Sequence, residues 1–200
     1  LTKITAYVKI QPNDRLDNMK KTSKEEIVKK SIGLFKQQGY HNTSMANIAD
    51  ICGLIKGSLY HHFKSKDEIG LECLKFIHEY FVDNIFSIAK KDELSPKEKI
   101  ELFINKIDSY FLNSKGGCLF ANLALELPST NTAFKDEIKV YFKAWEEALA
   151  KILESKYSRE EAFSLAKEYL ALTQGAIMMM NLHDSKIEYL KVGKKIINLL

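Results

Sequence analysis

Three prolines and nine glycines punctuate 200 residues, so few positions force the chain to break. No apolar run reaches the ~18 residues that a membrane-spanning helix needs. Strand-like alternation of Val, Ile and Thr is scarce, while long stretches carry 3.6-residue periodicity, and the chain reads as all-α. The three cysteines, Cys52, Cys73 and Cys118, are odd in number and far apart. They form no CxxC pair and no disulfide framework, which suits a reducing cytoplasm. The five histidines make no HExxH or HxxxH pair, so no metal site is expected. No Gly-rich phosphate loop and no GxSxG is present, which argues against an enzyme and against a bound cofactor. There is no internal repeat and no basic segment followed by an apolar one, so no secretory signal is visible. Residues 1–18 have weak periodicity and are expected to be a loose tail or an extension upstream of a natural start at Met19.

What the chain does hold is an ordinary globular balance, 46% apolar and 28% charged, long enough for a full core. Its net charge of +4 is unevenly placed. Residues 1–66 carry 12 basic and 5 acidic side chains, 12 − 5 = +7, and the remainder carry 18 − 21 = −3. A basic excess confined to the first third attracts polyanions, nucleic acid first. The plainer reading is a solvated lysine-rich surface.

Periodicity and capping residues predict nine helices. The first starts at Thr22 or Ser23, where Ser23 and Glu26 have capping-box spacing, and stops at Gly39. Thr43 or Ser44 caps a short second helix that ends at Gly53, and a shorter third covers 56–63. The fourth is expected to run from Asp67 to about residue 90 on the stripe Leu74, Ile77, Phe81, Ile85 and Ile88. Ser95-Pro96 opens the fifth. A turn at 114–117 precedes a short sixth helix closed by Pro128. The seventh carries Phe134, Ile138, Tyr141, Trp145 and Leu149. The eighth spans about 159–181 and the ninth about 185–200.

Two short helices joined through Gly53 form a helix-turn-helix pattern. Leu54, Leu59 and Phe63 are the expected inward anchors. Lys56, Gly57, Ser58, Tyr60, His61 and His62 are then left for exposed and flanking faces, where charge and hydroxyls meet phosphates and base edges. The run 43–66, TSMANIADICGLIKGSLYHHFKSK, resembles the DNA-binding segment of the TetR/AcrR family of bacterial regulators. That resemblance implies a three-helix DNA-binding domain at 19–66 followed by a helical ligand-binding and dimerisation domain at 67–200. It implies phosphate contacts from Thr43, Ser44, Tyr60 and Lys66, and groove contacts from Lys56, Gly57, Ser58 and His61. Ile55 departs from the pattern, standing where the family usually has a capping residue such as Ser, a local loss of ~1 kcal/mol.

By the same resemblance the last two helices, about 159–200, pair with their copies in a homodimer that reads a palindromic operator. Ala162, Phe163, Ala166, Leu170, Thr173, Gly175 and Ala176 are the expected close-packing surface, unless that stripe is only monomer core. Phe103, Phe111, Tyr141, Trp145 and Met178 are candidates for an apolar pocket that takes an unidentified small-molecule effector. The stretch 117–126, GCLFANLALE, resembles a segment of one family branch in which cysteine responds to electrophiles. Cys118, near Lys115 and a helix start, is therefore a candidate sensor thiol, against the reading of a plain buried cysteine. Two functions follow: a cytoplasmic DNA-binding repressor released by a small apolar or electrophilic ligand, or an α-helical scaffold without DNA affinity.

Overall fold

The computed structural model describes residues 22–127 and 131–200. Residues 1–18 and Pro128, on which the expectations of a tail and of a helix stop fall, lie outside them. Nine α-helices and one 3-10 turn make up the described residues: α1 Lys24–Gln38, α2 Met45–Cys52, α3 Lys56–His62, α4 Lys66–Asn84, the turn Phe86–Lys90, α5 Pro96–Leu112, α6 Leu119–Glu126, α7 Thr132–Leu153, α8 Arg159–His183 and α9 Ile187–Ile197.

Most helices begin where a serine can satisfy an orphan N–H. Ser23 accepts from the Glu26 amide at 3.1 Å, and Ser65 from that of Glu68 at 3.1 Å. Ser44 with Asn47 and Ser95 with Glu98 close reciprocal capping boxes, and Pro96 sits in the first turn of α5. Ser158 and Glu161 do the same for α8. At the end of α2, Gly53 takes φ +68°, a left-handed conformation that strains a side-chain-bearing residue.

The fourth helix is shorter than its stripe predicts. It ends at Asn84, and Ile85 (φ −126°, ψ −58°) redirects the chain into the 3-10 turn. Ile85, Phe86 and Ile88 are all buried. The apolar spacing therefore continues across the break, because a three-residue turn keeps i and i+3 on one side much as an α-helix does.

α1 packs along the start of α4, with α2 against α1 and α3 against α2. Behind them α7, α8 and α9 pack in succession, and α5 lies against α7 and α9. The centre is aromatic. Phe81 contacts Tyr141 and Trp145 at centroid separations of 5.4 and 5.7 Å, and Phe120 stacks flat on Tyr141 at 3.7 Å.

Candidate nucleic-acid interface and its attachment to the core

The turn between α2 and α3 is held by the Leu54 amide, which donates to the Ala49 carbonyl at 2.9 Å. Ala49 is buried, and its small side chain lets the helices cross closely. Leu59 and Phe63 are fully buried, as their anchoring role requires. Lys56, Gly57, Tyr60 and His61 face solvent, with Ser58 and His62 half-buried beside them. α3 is thus sorted into an apolar side locked to α2 and an open side carrying an amine, a backbone-only position, a phenol and an imidazole. Ile55 caps α3 with no side-chain hydrogen bond and is 77% exposed. The departure seen in the sequence leaves the first turn of α3 uncapped.

Two of the expected phosphate contacts sit differently. Thr43 is buried, and its hydroxyl donates to the Gly39 carbonyl at 2.7 Å. It braces the α1–α2 connection and is closed to a phosphate, a correction to the expectation. Lys66 is half-buried, with Nζ donating to the Tyr40 carbonyl at 2.8 Å and standing 4.3 Å from the Tyr40 ring centroid. Ser44 remains exposed, its hydroxyl 2.6 Å from Asn47 Oδ1 within the capping box.

Sequence reasoning missed the residues that join this unit to the rest. The Tyr40 hydroxyl donates to Asp67 Oδ1 at 2.5 Å, in the first turn of α4. Burial and the Asp67 carboxylate push the Tyr40 phenol well above its ordinary range. The amides of Tyr40 and His41 both donate to Glu126 Oε2 at the end of α6, at 2.7 and 3.2 Å. Lys36, in the last turn of α1, is buried and donates from Nζ to Ser114 Oγ at 2.9 Å. Desolvation pulls its amine down to about 8. The one available signal was Glu126 itself, the last residue of the quoted stretch 117–126. Its partners lie 85 and 86 positions away and share no local pattern with it.

In the C-terminal helices Phe111, Tyr141 and Trp145 are buried and packed on one another, and Phe103 is buried against Phe86. The space beside Phe103 and Trp145 is about 10 Å³, on the order of one water. A groove of about 290 Å³ lies instead between α6 and α7, floored by Leu123, Phe134 and Ile138, with Lys135 and Lys139 among its lining residues. Phe111 and Tyr141 line neither space, nor does Met178, which is 60% exposed on α8, so all three leave the pocket set.

Cys118 is also corrected. It is buried and caps α6, and the amides of Phe120 and Ala121 together with Lys36 favour its thiolate. Burial outweighs them and pushes the thiol up, and the neighbouring cation is Lys36 in place of Lys115. Cys52 and Cys73 are buried.

Of the expected dimer stripe, Ala162, Ala166, Leu170, Thr173 and Ala176 face the monomer core. The outward apolar side of α8 is another one: Leu172, Met178, Met179 and Leu182 are exposed, and Gly175 stands open among them. Among the described residues no helix is long and apolar enough to cross a membrane, and no three His, Cys, Asp or Glu side chains gather as metal ligands.

An anchored short helix with an open polar side, set on a larger helical body, has the form of a helix-turn-helix DNA-binding regulator. Residues 27–73 match the family model described as bacterial regulatory proteins, tetR family, and residues 96–195 match the C-terminal domain of LmrA/YxaF-like transcriptional regulators. The HTH-type transcriptional regulator YxaF of Bacillus subtilis is 30% identical, over 87% of this chain and 93% of that protein. The HTH-type transcriptional repressor DhaR of a Mycobacterium species is 26% identical over 82% and 84%. The crystal structure of a TetR transcriptional regulator from Legionella pneumophila superposes with a TM-score of 0.79 at 25% identity, covering 92% and 98%. The chain belongs to the TetR family of bacterial transcriptional regulators, a family of non-enzymatic DNA-binding proteins.

Proposed function

We propose that the chain is a repressor that binds a palindromic operator as a homodimer in the cytoplasm and leaves it when a small apolar molecule binds. The observation that carries this reading is the sorted surface of α3. Lys56, Gly57, Tyr60 and His61 are open to a major groove, while Leu59 and Phe63 lock the helix from behind. Ser58 adds a hydroxyl at the groove edge, and Ser44 and Tyr60 flank the helix as phosphate contacts. The division at 66 and 67 falls in the first turn of α4, which then belongs to both functional halves.

Dimerisation is assigned to α8 and α9. Leu172, Met179 and Leu182 lie at i, i+7 and i+10 on one face of α8, and Ile187 at the start of α9 is 61% exposed. Apolar side chains gathered so are the mark of a contact surface, and two copies place two recognition helices on two half-sites. Room for an effector is supplied by the groove between α6 and α7 rather than by the packed aromatic centre. A ligand acts there only through different affinities for the DNA-bound and free states.

The test is binding to a short palindromic duplex from the protein's own upstream region, across a salt series, beside a scrambled duplex. Tight, salt-steep binding to the native duplex alone supports the reading. No binding to the native duplex at any salt returns the scaffold reading.

A further inference from the structure

We propose that Glu126 is a positioning residue for DNA reading, through which the last turn of α6 holds the helix-turn-helix at a fixed angle to the C-terminal helices. The inference rests on the regulator reading above and names the contact that reading leaves unassigned.

The contact is concentrated on two consecutive residues. Glu126 Oε2 accepts from the amides of Tyr40 at 2.7 Å and His41 at 3.2 Å. The Glu126 carbonyl lies 2.9 Å from His41 Nε2, so the ring donates there with its proton on that nitrogen. Successive backbone N–H groups converging on a carboxylate form an anion nest, and each bond is charge-assisted. Residues 40 and 41 belong to the connection between α1 and α2, the same piece that α4 holds through Lys66 and Asp67.

The other end of α6 is gripped too. A Cβ on Gly116, which has φ +81°, would stand 2.2 Å from the Lys36 carbonyl oxygen, so only glycine allows this approach. Lys36 Nζ reaches Ser114 beside it. Asn122 on α6 donates to the Gly116 carbonyl at 2.8 Å and ties that loop to the helix. α6 therefore lies across the end of α1 with an attachment at each end. α6 also carries Phe120, stacked on Tyr141, and the buried Leu123. α6 thus links the aromatic centre to the DNA-reading unit, beside the direct contacts of Tyr40 with Phe134 and of Lys36 with Tyr110, and a shift of Phe120 against Tyr141 moves Glu126 with it.

α4 holds the unit along α1 and through Lys66 and Asp67 on Tyr40. Glu126 adds an attachment from a helix that is not continuous with the unit, so the position of α6 as well as that of α4 sets its orientation. Without it the unit samples more orientations, the DNA-competent fraction falls, and apparent affinity falls by the same factor.

The experiment uses the full chain with Glu126→Ala and Glu126→Gln. Amide exchange at Tyr40 and His41 reports the contact directly, and operator affinity across a salt series reports its consequence. In Glu126→Ala, exchange at those two amides rises about tenfold or more while the buried amides of α5 and α7 keep their protection. Operator affinity falls about threefold or more. The slope of log affinity against log salt stays unchanged, because no phosphate contact is lost. Glu126→Gln keeps an acceptor oxygen without the charge, is gentle to the fold, and falls between. Unchanged exchange, or unchanged affinity in both variants of a chain that binds its operator, overturns the latch alone. A wild-type chain that fails to tell the native duplex from the scrambled one overturns the regulator reading and the positioning role with it.

Discussion

Replacing Lys36 by methionine should stabilise the protein, although it removes a hydrogen bond. The side chain is 7% exposed, and burial draws its amine from 10.5 down to about 8. Burial is the larger cause, offset in part by the neighbouring Cys118. At 1.36 kcal/mol per factor of ten, the charged form is held in the fold at a penalty on the order of 3 kcal/mol. The folded-state pKa lies below the unfolded one, so the unfolded chain binds more protons between pH 8 and 10.5. The stability contribution of this residue therefore rises through that window, and the penalty is fully present below it. Lys36→Met keeps a similar unbranched stem and has no charge to bury. Allowing ~1 kcal/mol for the lost hydrogen bond, the variant gains about 2 kcal/mol at pH 7. For a chain of this size that is roughly 4–8 °C in Tm. Chemical denaturation of both proteins from pH 7.5 to 9.5 should show the gap narrowing by about 2 kcal/mol as the wild-type amine loses its proton. A variant no more stable than wild type at pH 7, with a gap that ignores pH, would refute the argument that this lysine is held against its solvation.

Ile55→Ser puts a capping hydroxyl on the one recognition-unit helix that lacks it. Because Ile55 is 77% exposed, little burial is lost, and the expected gain is about 0.5–1 kcal/mol, read as slower amide exchange in the first turn of α3. Lys56→Ala should weaken operator binding and reduce its salt slope by about one, if the amine neutralises a phosphate; an unchanged slope would take Lys56 off the phosphate backbone. Cys118 should resist maleimide in the folded protein and react promptly in denaturant, since burial both hides the thiol and pushes it up. Rapid labelling at neutral pH without loss of structure would contradict that burial.

Local signals were legible wherever the relevant partners lie within a few residues. Ser23, Ser44 and Ser95 marked helix starts because a cap bonds three residues ahead. Gly53 marked a turn because its left-handed backbone is a property of that residue. The α3 surface followed from the alternation of Leu59 and Phe63 with Lys56, Tyr60 and His61. Where periodicity spoke alone it erred. The stripe through Ile85 and Ile88 ran over the end of α4, since 3-10 and α spacing bury the same positions.

An all-helical chain, a basic helix-turn-helix and the face of the recognition helix were legible in the residues alone, because interactions within one or two turns set them. What depends on distant partners was settled by packing. It turned the small residues of α8 inward and left Leu172, Met179 and Leu182 outside. It closed Thr43 and Cys118 off from solvent, and it brought Glu126 to the amides of Tyr40 and His41 across some 85 residues. A helical repeat says that one side is apolar, but which apolar side meets the core is chosen by how the helices pack.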